Sequence, residues 1–283
     1  MKNIILILKI FRPFNLLLSC ISVAMVAFLF NYISSPICFY AMLVVFCFGA
    51  ASNMLNDIID IEIDRVNKPK RAMPTGLLNV HFAMLLACFL YVTGIMLTYF
   101  LQPLGQNIAL YVILPLLIFY TPILKRIPLI GNIIMGGIVG SVFLFSEAAL
   151  TNNIKIMWVP FFLATALSFI REISKDAEDI IGDAALHVKT FPVIFGLIPT
   201  LQILRFLSVC LCFCAFIPWW NTYYGLTYMF LIILFIEIPL LYGVFIIINQ
   251  HSNALQYSYL SKLLKGITIM GIITIFLTNL ISI

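Results

Sequence analysis

Apolar runs, each about as long as a bilayer-spanning helix, alternate along this chain with short polar stretches. A spanning helix needs roughly 20 predominantly apolar residues. That length is met near 14–33, 37–56, 79–100, 106–123, 130–150, 156–174, 193–217, 226–248 and 265–283. The pattern predicts an all-α polytopic membrane protein: one domain over residues 1–283, built as a single bundle of nine transmembrane helices. In lipid only helices or closed barrels satisfy every backbone polar group, and runs of this length are helical. Lys9 and Arg12 interrupt the first apolar run and no small-residue cleavage site follows, so the N-terminus is expected to be retained.

Composition agrees. Of 283 residues, 63% are hydrophobic and 10% are charged, against about 25% charged in a soluble domain. A water-soluble globule and a disordered chain are both excluded. The seven cysteines are dispersed within the apolar runs. Cys210, Cys212 and Cys214 stand at i, i+2 and i+4, a spacing that does not converge three thiolates on a helix, and no disulfide framework is indicated.

Charge is distributed unevenly. Fifteen of the 16 Lys and Arg residues fall on one side of the alternating spans and only Lys155 on the other. The basic side is expected to be cytoplasmic, with the N-terminus inside and the C-terminus outside. Contact with anionic lipid accounts for those cations. It does not account for the acids. Nine of the 11 Asp and Glu residues lie in Asp57–Asp64 and Glu172–Asp183, both on the basic side. The net charge of +5 therefore describes basic loops around two acidic patches, not a nucleic-acid surface.

Asp57, Asp60 and Asp64 are spaced i, i+3, i+7, and so are Asp176, Asp179 and Asp183. On a helix each set shares one face, with Asn56 at the edge of the first. Like charges on one stripe repel, so each set calls for a cation. Two facing stripes would hold one or two divalent ions through oxygen alone, which suits Mg2+ or Mn2+. Such ions share their coordination with substrate phosphates. Lys68, Arg71, Lys125, Arg126, Arg171 and Lys175 supply complementary charge, so the residues point to a lipid-diphosphate enzyme. A divalent-cation transporter is the rival of a different class. It requires acids along the membrane interior, where only Glu147 and Glu237 stand, and Glu237 is expected in helix packing.

These residues resemble a known family. Asn56-Asp57-x-x-Asp60-x-x-x-Asp64, with Asn67-Lys68 and Arg71-x-x-Pro74-Thr75-Gly76, is similar to the first motif of the UbiA-type intramembrane prenyltransferases. Lys175-Asp176-x-x-Asp179-x-x-Gly182-Asp183, then Lys189-Thr190-x-Pro192 and Gly196, is similar to their second. Arg12-Pro13-x-Asn15 resembles their first-helix signature, and Tyr120 with Lys125-Arg126 their basic loop after the fourth helix. The resemblance implies Mg2+-dependent prenyl transfer through an allylic carbocation. Asp60, Asp64, Asp179 and Asp183 would be the catalytic carboxylates, and with Asn56, Asp57 and Asp176 the metal ligands. Arg12, Asn15, Lys68, Arg71, Tyr120, Lys125, Arg126, Arg171 and Lys175 would bind substrate.

The expected partners are a prenyl diphosphate, a lipophilic acceptor and membrane lipids, without nucleic acid and without an obligate protein partner. Loops 65–78 and 175–192 would cap the bundle on the cytoplasmic side, in part as short helices. Three positions depart from the family pattern. Arg71-Ala72-Met73-Pro74 replaces Arg-Pro-x-Pro, His187 stands where relatives often carry Gly, and Tyr120 precedes Lys125 by five residues where four is common. Within the family, the Glu172–Asp183 run, Gly131-Asn132 and Phe143-Leu144-Phe145 most resemble the branch that makes digeranylgeranylglyceryl phosphate. The alternative there is C-prenylation of an aromatic acid, of the 4-hydroxybenzoate or naphthoate type, on a quinone pathway.

Overall fold

Prolines and small polar side chains mark where the helices start. Helix α1 (Pro13–Leu29) and α2 (Pro36–Ile59) each open on Pro, whose missing N–H costs nothing in the first turn. Ser35 Oγ accepts the Ile37 N–H (3.3 Å) at the start of α2. Short α3 (Ile61–Asn67) follows. Asn79 caps α4 (Val80–Thr98) by accepting from His81 N (2.8 Å) and Phe82 N (3.4 Å). Then come α5 (Pro103–Tyr120), α6 (Ile130–Thr151), α7 (Trp158–Glu178), short α8 (Ile180–Ala185) and α9 (Phe191–Phe195), α10 (Leu197–Trp220), α11 (Leu226–Ile247) and α12 (Ala254–Ile281).

This computed structural model describes residues 8–281. Lys2, and the last two residues of the span expected at 265–283, lie outside them. The described residues form helices, turns and loops without a strand. Each of the nine apolar runs falls on a helix, and among the described residues seven helices are long and apolar enough to cross a membrane. The other two are α1, at 17 residues, and α7, whose C-terminal turns carry the second acidic cluster.

One boundary differs from the expectation. The last helix begins at Ala254, not near 265, so Lys262 and Lys265 lie within it. The reason is a reciprocal cap: Asn253 Oδ1 accepts from Leu255 N (3.0 Å) while Gln256 Oε1 accepts from Asn253 N (2.9 Å). Of the two loops expected to carry short helices, 175–192 contains α8 and the start of α9, whereas 65–78 holds only the last residues of α3 and then turns.

Packing divides the chain into two compact units. The first comprises residues 1–125 and 141–157. In it α2 packs against α1 and α4, and one apolar cluster joins Ile10, Met54, Ala72, Met73, Leu78, Ala83 and Ala87. Ala72 and Met73 are thereby pinned beneath the end of α2. This anchors the loop that carries Arg71, although the expected proline is absent. At Gly105 an added Cβ would stand 2.3 Å from the Ala149 Cα, so only glycine admits this approach. Beside it Gln102 N donates to Ala149 O (3.1 Å) and Leu104 N to Asn152 Oδ1 (2.9 Å). Buried Glu147 is spent on structure as well. Its carboxylate accepts from the backbone N–H groups of Lys155 (2.9 Å), Ile156 (3.2 Å) and Met157 (2.9 Å) and holds the turn after α6.

The second unit comprises residues 126–140 and 158–283. Helix α7 packs there against α12 and α10, around Leu167, Ile170, Ile173, Leu204, Tyr257 and Leu260. Helix α6 approaches α7 closely at Gly136 and Gly140, where a Cβ would meet the Thr165 and Phe161 carbonyls at 2.6 Å. Gly137 has open space. Arg205, on α10, is committed to backbone carbonyls. It donates to Val244 O (3.1 Å) and Ile248 O (3.2 Å) and lies over the Phe245 ring, capping carbonyls at the end of α11.

Candidate active site

Each acidic cluster sits at a bend. Asp60 has φ −89° and ψ 11°, and Asp179 has φ −92° and ψ 7°. Both fall in the sparsely populated bridge region, between a long helix and a short one. The backbone bonds run through the first bend: Asp60 N–H to Asn56 O (2.9 Å), Asp64 N–H to Asp60 O (2.8 Å). They run through the second likewise: Asp179 N–H to Lys175 O (2.9 Å), Asp183 N–H to Asp179 O (3.1 Å). The i, i+3, i+7 repeat is therefore also a repeat of backbone geometry, which spacing alone did not reveal.

The first row is buried: Asp57 is 4% exposed, Asp60 6% and Asp64 4%. Unpaired carboxylates at that depth would be costly, and three side-chain cations meet them. Arg12 Nη2 donates to Asp57 Oδ1 (2.7 Å). Arg71 Nη1 bridges Asp57 Oδ1 (3.3 Å) and Asp64 Oδ2 (2.6 Å). Lys125 Nζ pairs with Asp60 Oδ2. Asn56 joins them through Thr121 Oγ1 (3.2 Å), and with its amide turned to match its neighbours it donates to Asp60 Oδ2 (3.3 Å) and accepts from Arg12 Nη2 (3.0 Å). Burial pushes the Asp64 carboxyl above the ordinary carboxylate range, opposed by the charge and hydrogen bond of Arg71. Arg12 reaches its place from a left-handed backbone (φ 51°) just before α1. Asn15 is drawn into the same turn through its N–H, which donates to Arg12 O (2.9 Å). Tyr120 is buried at the end of α5.

A cavity of about 510 Å³ lies in this unit, lined by Lys9, Arg12, Asp57, Asn67, Lys68, Lys70 and Arg71 among others. Lys9, Lys70 and Asn67 were not among the expected site residues. Lys9 and Lys70 carry no motif, so no local signal singles them out. Thr121 was missed for the same reason.

In the second unit Asn132 Nδ2 donates to Asp176 Oδ2 (2.7 Å). Lys175 Nζ pairs with buried Glu172 (2.7 Å), and Arg171 Nη1 reaches the same carboxylate (3.5 Å). Ser174 Oγ donates to Tyr257 O (3.2 Å), fixing this turn of α7 against α12. Lys265, also on α12, lies near enough to Arg171 and Lys175 to feel their charge. Asp183 is buried and Asp179 half-buried, whereas Arg126 is exposed.

No three acidic, His or Cys groups among the described residues converge as a closed metal cage. The charge repulsion within the first row is met by Arg12, Arg71 and Lys125, so repulsion alone does not call for a metal. The donor chemistry does suit one. Carboxylate and amide oxygens in small number, beside cations that match phosphate, fit an ion that takes one or two carboxylates and completes its shell with water and phosphate.

Fold and site together define a class: a helical membrane protein whose paired, bent aspartate motifs stand among basic side chains. The chain belongs to the UbiA prenyltransferase family, whose model matches residues 17–277, and it is a prenyltransferase. Digeranylgeranylglyceryl phosphate synthase of Methanobrevibacter smithii is 32% identical over 264 residues, 91% of this chain and 92% of that protein. A solved digeranylgeranylglyceryl phosphate synthase structure superposes with a TM-score of 0.75 at 28% identity, covering 99% of both chains. A UbiA homologue from Archaeoglobus fulgidus bound to DMAPP and Mg2+ has the same fold, with a TM-score of 0.65 at 16% identity over 95% of this chain and 98% of that one.

Proposed function

We propose that this protein transfers a geranylgeranyl group from geranylgeranyl diphosphate to the free hydroxyl of geranylgeranylglyceryl phosphate, forming an ether lipid. The observation that carries this reading is full-length similarity to a digeranylgeranylglyceryl phosphate synthase in a chain that keeps both aspartate motifs. Asn56, Asp57, Asp60, Asp64, Asp176, Asp179 and Asp183 would hold Mg2+. When bound, Mg2+ supplies charge neutralisation to the leaving diphosphate. Mn2+ has the same ligand preference and is expected to substitute.

In this reading the donor C1–O bond breaks and its electron pair leaves with the diphosphate. The allylic cation left behind is attacked by the acceptor hydroxyl oxygen, whose proton passes to the departing diphosphate. Arg71 and Lys125, which neutralise carboxylates in this structure, exchange those partners for phosphate oxygens as substrate and metal enter. Arg12, Lys68, Arg126, Arg171 and Lys175 add positive charge where negative charge develops. Nine spans, cytoplasmic motifs capped by their loops and an external C-terminus complete the proposal, supported by the one-sided Lys and Arg distribution.

The test is product analysis. Purified protein with Mg2+ and geranylgeranyl diphosphate is offered geranylgeranylglyceryl phosphate or 4-hydroxybenzoate. A digeranylgeranyl ether is expected by mass, and a prenylated ring in its place would overturn the acceptor assignment. The transport alternative has lost one of its two intramembrane acids, since Glu147 is committed to backbone N–H groups.

A further inference from the structure

The two substrates of the proposed reaction carry different phosphates. The donor's diphosphate must leave, whereas the acceptor's phosphate monoester stays on the product. A leaving diphosphate calls for metal and carboxylates. A retained phosphate needs only cations and hydrogen-bond donors. The 510 Å³ cavity of the first unit has the second character. Its charged lining is Lys9, Arg12, Lys68, Lys70 and Arg71 against one carboxylate, Asp57. The Oδ1 of Asp57 already accepts from Arg12 and Arg71. Asp60 and Asp64, the other two aspartates of the row, do not line it.

Two turns build its walls. Arg12 N–H donates to Lys9 O (3.0 Å), and Arg71 N–H donates to Lys68 O (3.0 Å). Each turn presents a lysine and an arginine to the same space. Lys9 and Lys70 are exposed and, among the described residues, form no ion pair with a carboxylate. A guanidinium has five N–H donors, so Arg12 and Arg71 can serve the donor side and still face this cavity, and Lys9 and Lys70 are the lining cations given no part on the donor side. The volume is in the range of small-molecule sites, about 300–1,000 Å³.

We propose that this cavity receives the phosphate monoester of the acceptor, with Lys9 and Lys70 as the residues that select a phosphorylated acceptor. The proposal rests on the acceptor reading above. The experiment measures steady-state kinetics in phosphatidylcholine vesicles for the parent, Lys9→Ala/Lys70→Ala and Lys9→Arg/Lys70→Arg. The alanine pair is expected to raise the acceptor KM about tenfold or more, the scale of losing one charge-assisted hydrogen bond. The donor KM should stay within about twofold, and the arginine pair should restore the acceptor KM. An unchanged acceptor KM overturns the assignment, as does a rise in donor KM instead. An effect seen only after anionic lipid is added also overturns it, because the lysines would then serve the membrane surface. A parent enzyme that makes no ether product defeats the acceptor reading itself, an outcome distinct from these.

Discussion

Asp64 concentrates the chemistry of the site into one side chain. It is buried, and burial outweighs Arg71 in setting its affinity for a proton. A folded-state pKa above the unfolded value means that the native protein binds the proton more tightly. Ionised Asp64 therefore opposes folding at neutral pH, and this opposition fades as pH falls through its raised pKa. Without Mg2+, Asp64→Asn should be at least as stable as the parent at pH 7, with the difference in thermal midpoint shrinking as the pH is lowered. An advantage for the parent that grows with pH would contradict this. Asp60→Ala and Asp179→Ala should each reduce turnover by about a thousandfold or more with the helical circular dichroism retained; normal turnover in either would remove the assignment. Arg71→Ala strands two buried carboxylates. The donor KM should rise about tenfold or more, and the thermal midpoint should fall without Mg2+ and recover in part with it.

At the scale of elements, helix ends and close approaches are the sensitive points. His187 adopts φ 55° in the loop after α8, a backbone region that favours glycine. His187 is thus a strained position, and His187→Gly should add about 0.5–1 kcal/mol, measured as a higher thermal midpoint in detergent. Gly105→Val would drive a side chain into the Ala149 backbone. It should cost at least about 1–3 kcal/mol, read as a lower midpoint with the site chemistry intact in whatever fraction remains folded. Proline shapes two of the long helices. Pro115 and Pro239 each follow a wide turn, Ala109–Ile113 and Ile233–Glu237, in which the bond ladder opens from i−4 to i−5. That opening relieves the clash between a proline ring and the preceding carbonyl.

On the scale of the whole molecule, the apolar runs and the helices coincide because lipid leaves the backbone few alternatives. The one misplaced start, at Ala254, shows the limit of reading hydropathy. The first turns of α12 are polar, and the Asn253–Gln256 cap, not apolar content, sets where the helix begins. Both aspartate motifs were legible because their spacing is local. Their partners were only partly so. Arg71 lies seven residues from Asp64, within reach of motif reading, whereas Arg12 pairs with Asp57 across 45 positions and Lys125 with Asp60 across 65.

From its residues alone this chain was bound to be a helical membrane protein with two acidic motifs of the same spacing. Periodicity, hydropathy and the i, i+3, i+7 spacing are properties of neighbouring residues, and they survive without knowledge of packing. Tertiary structure decided which cation meets which carboxylate, that Glu147 and Arg205 hold backbone rather than substrate, and that Lys9 and Lys70 face one cavity with Arg12 and Arg71. Those outcomes depend on segments far apart in the chain being brought within hydrogen-bond distance, which only the packed helices accomplish.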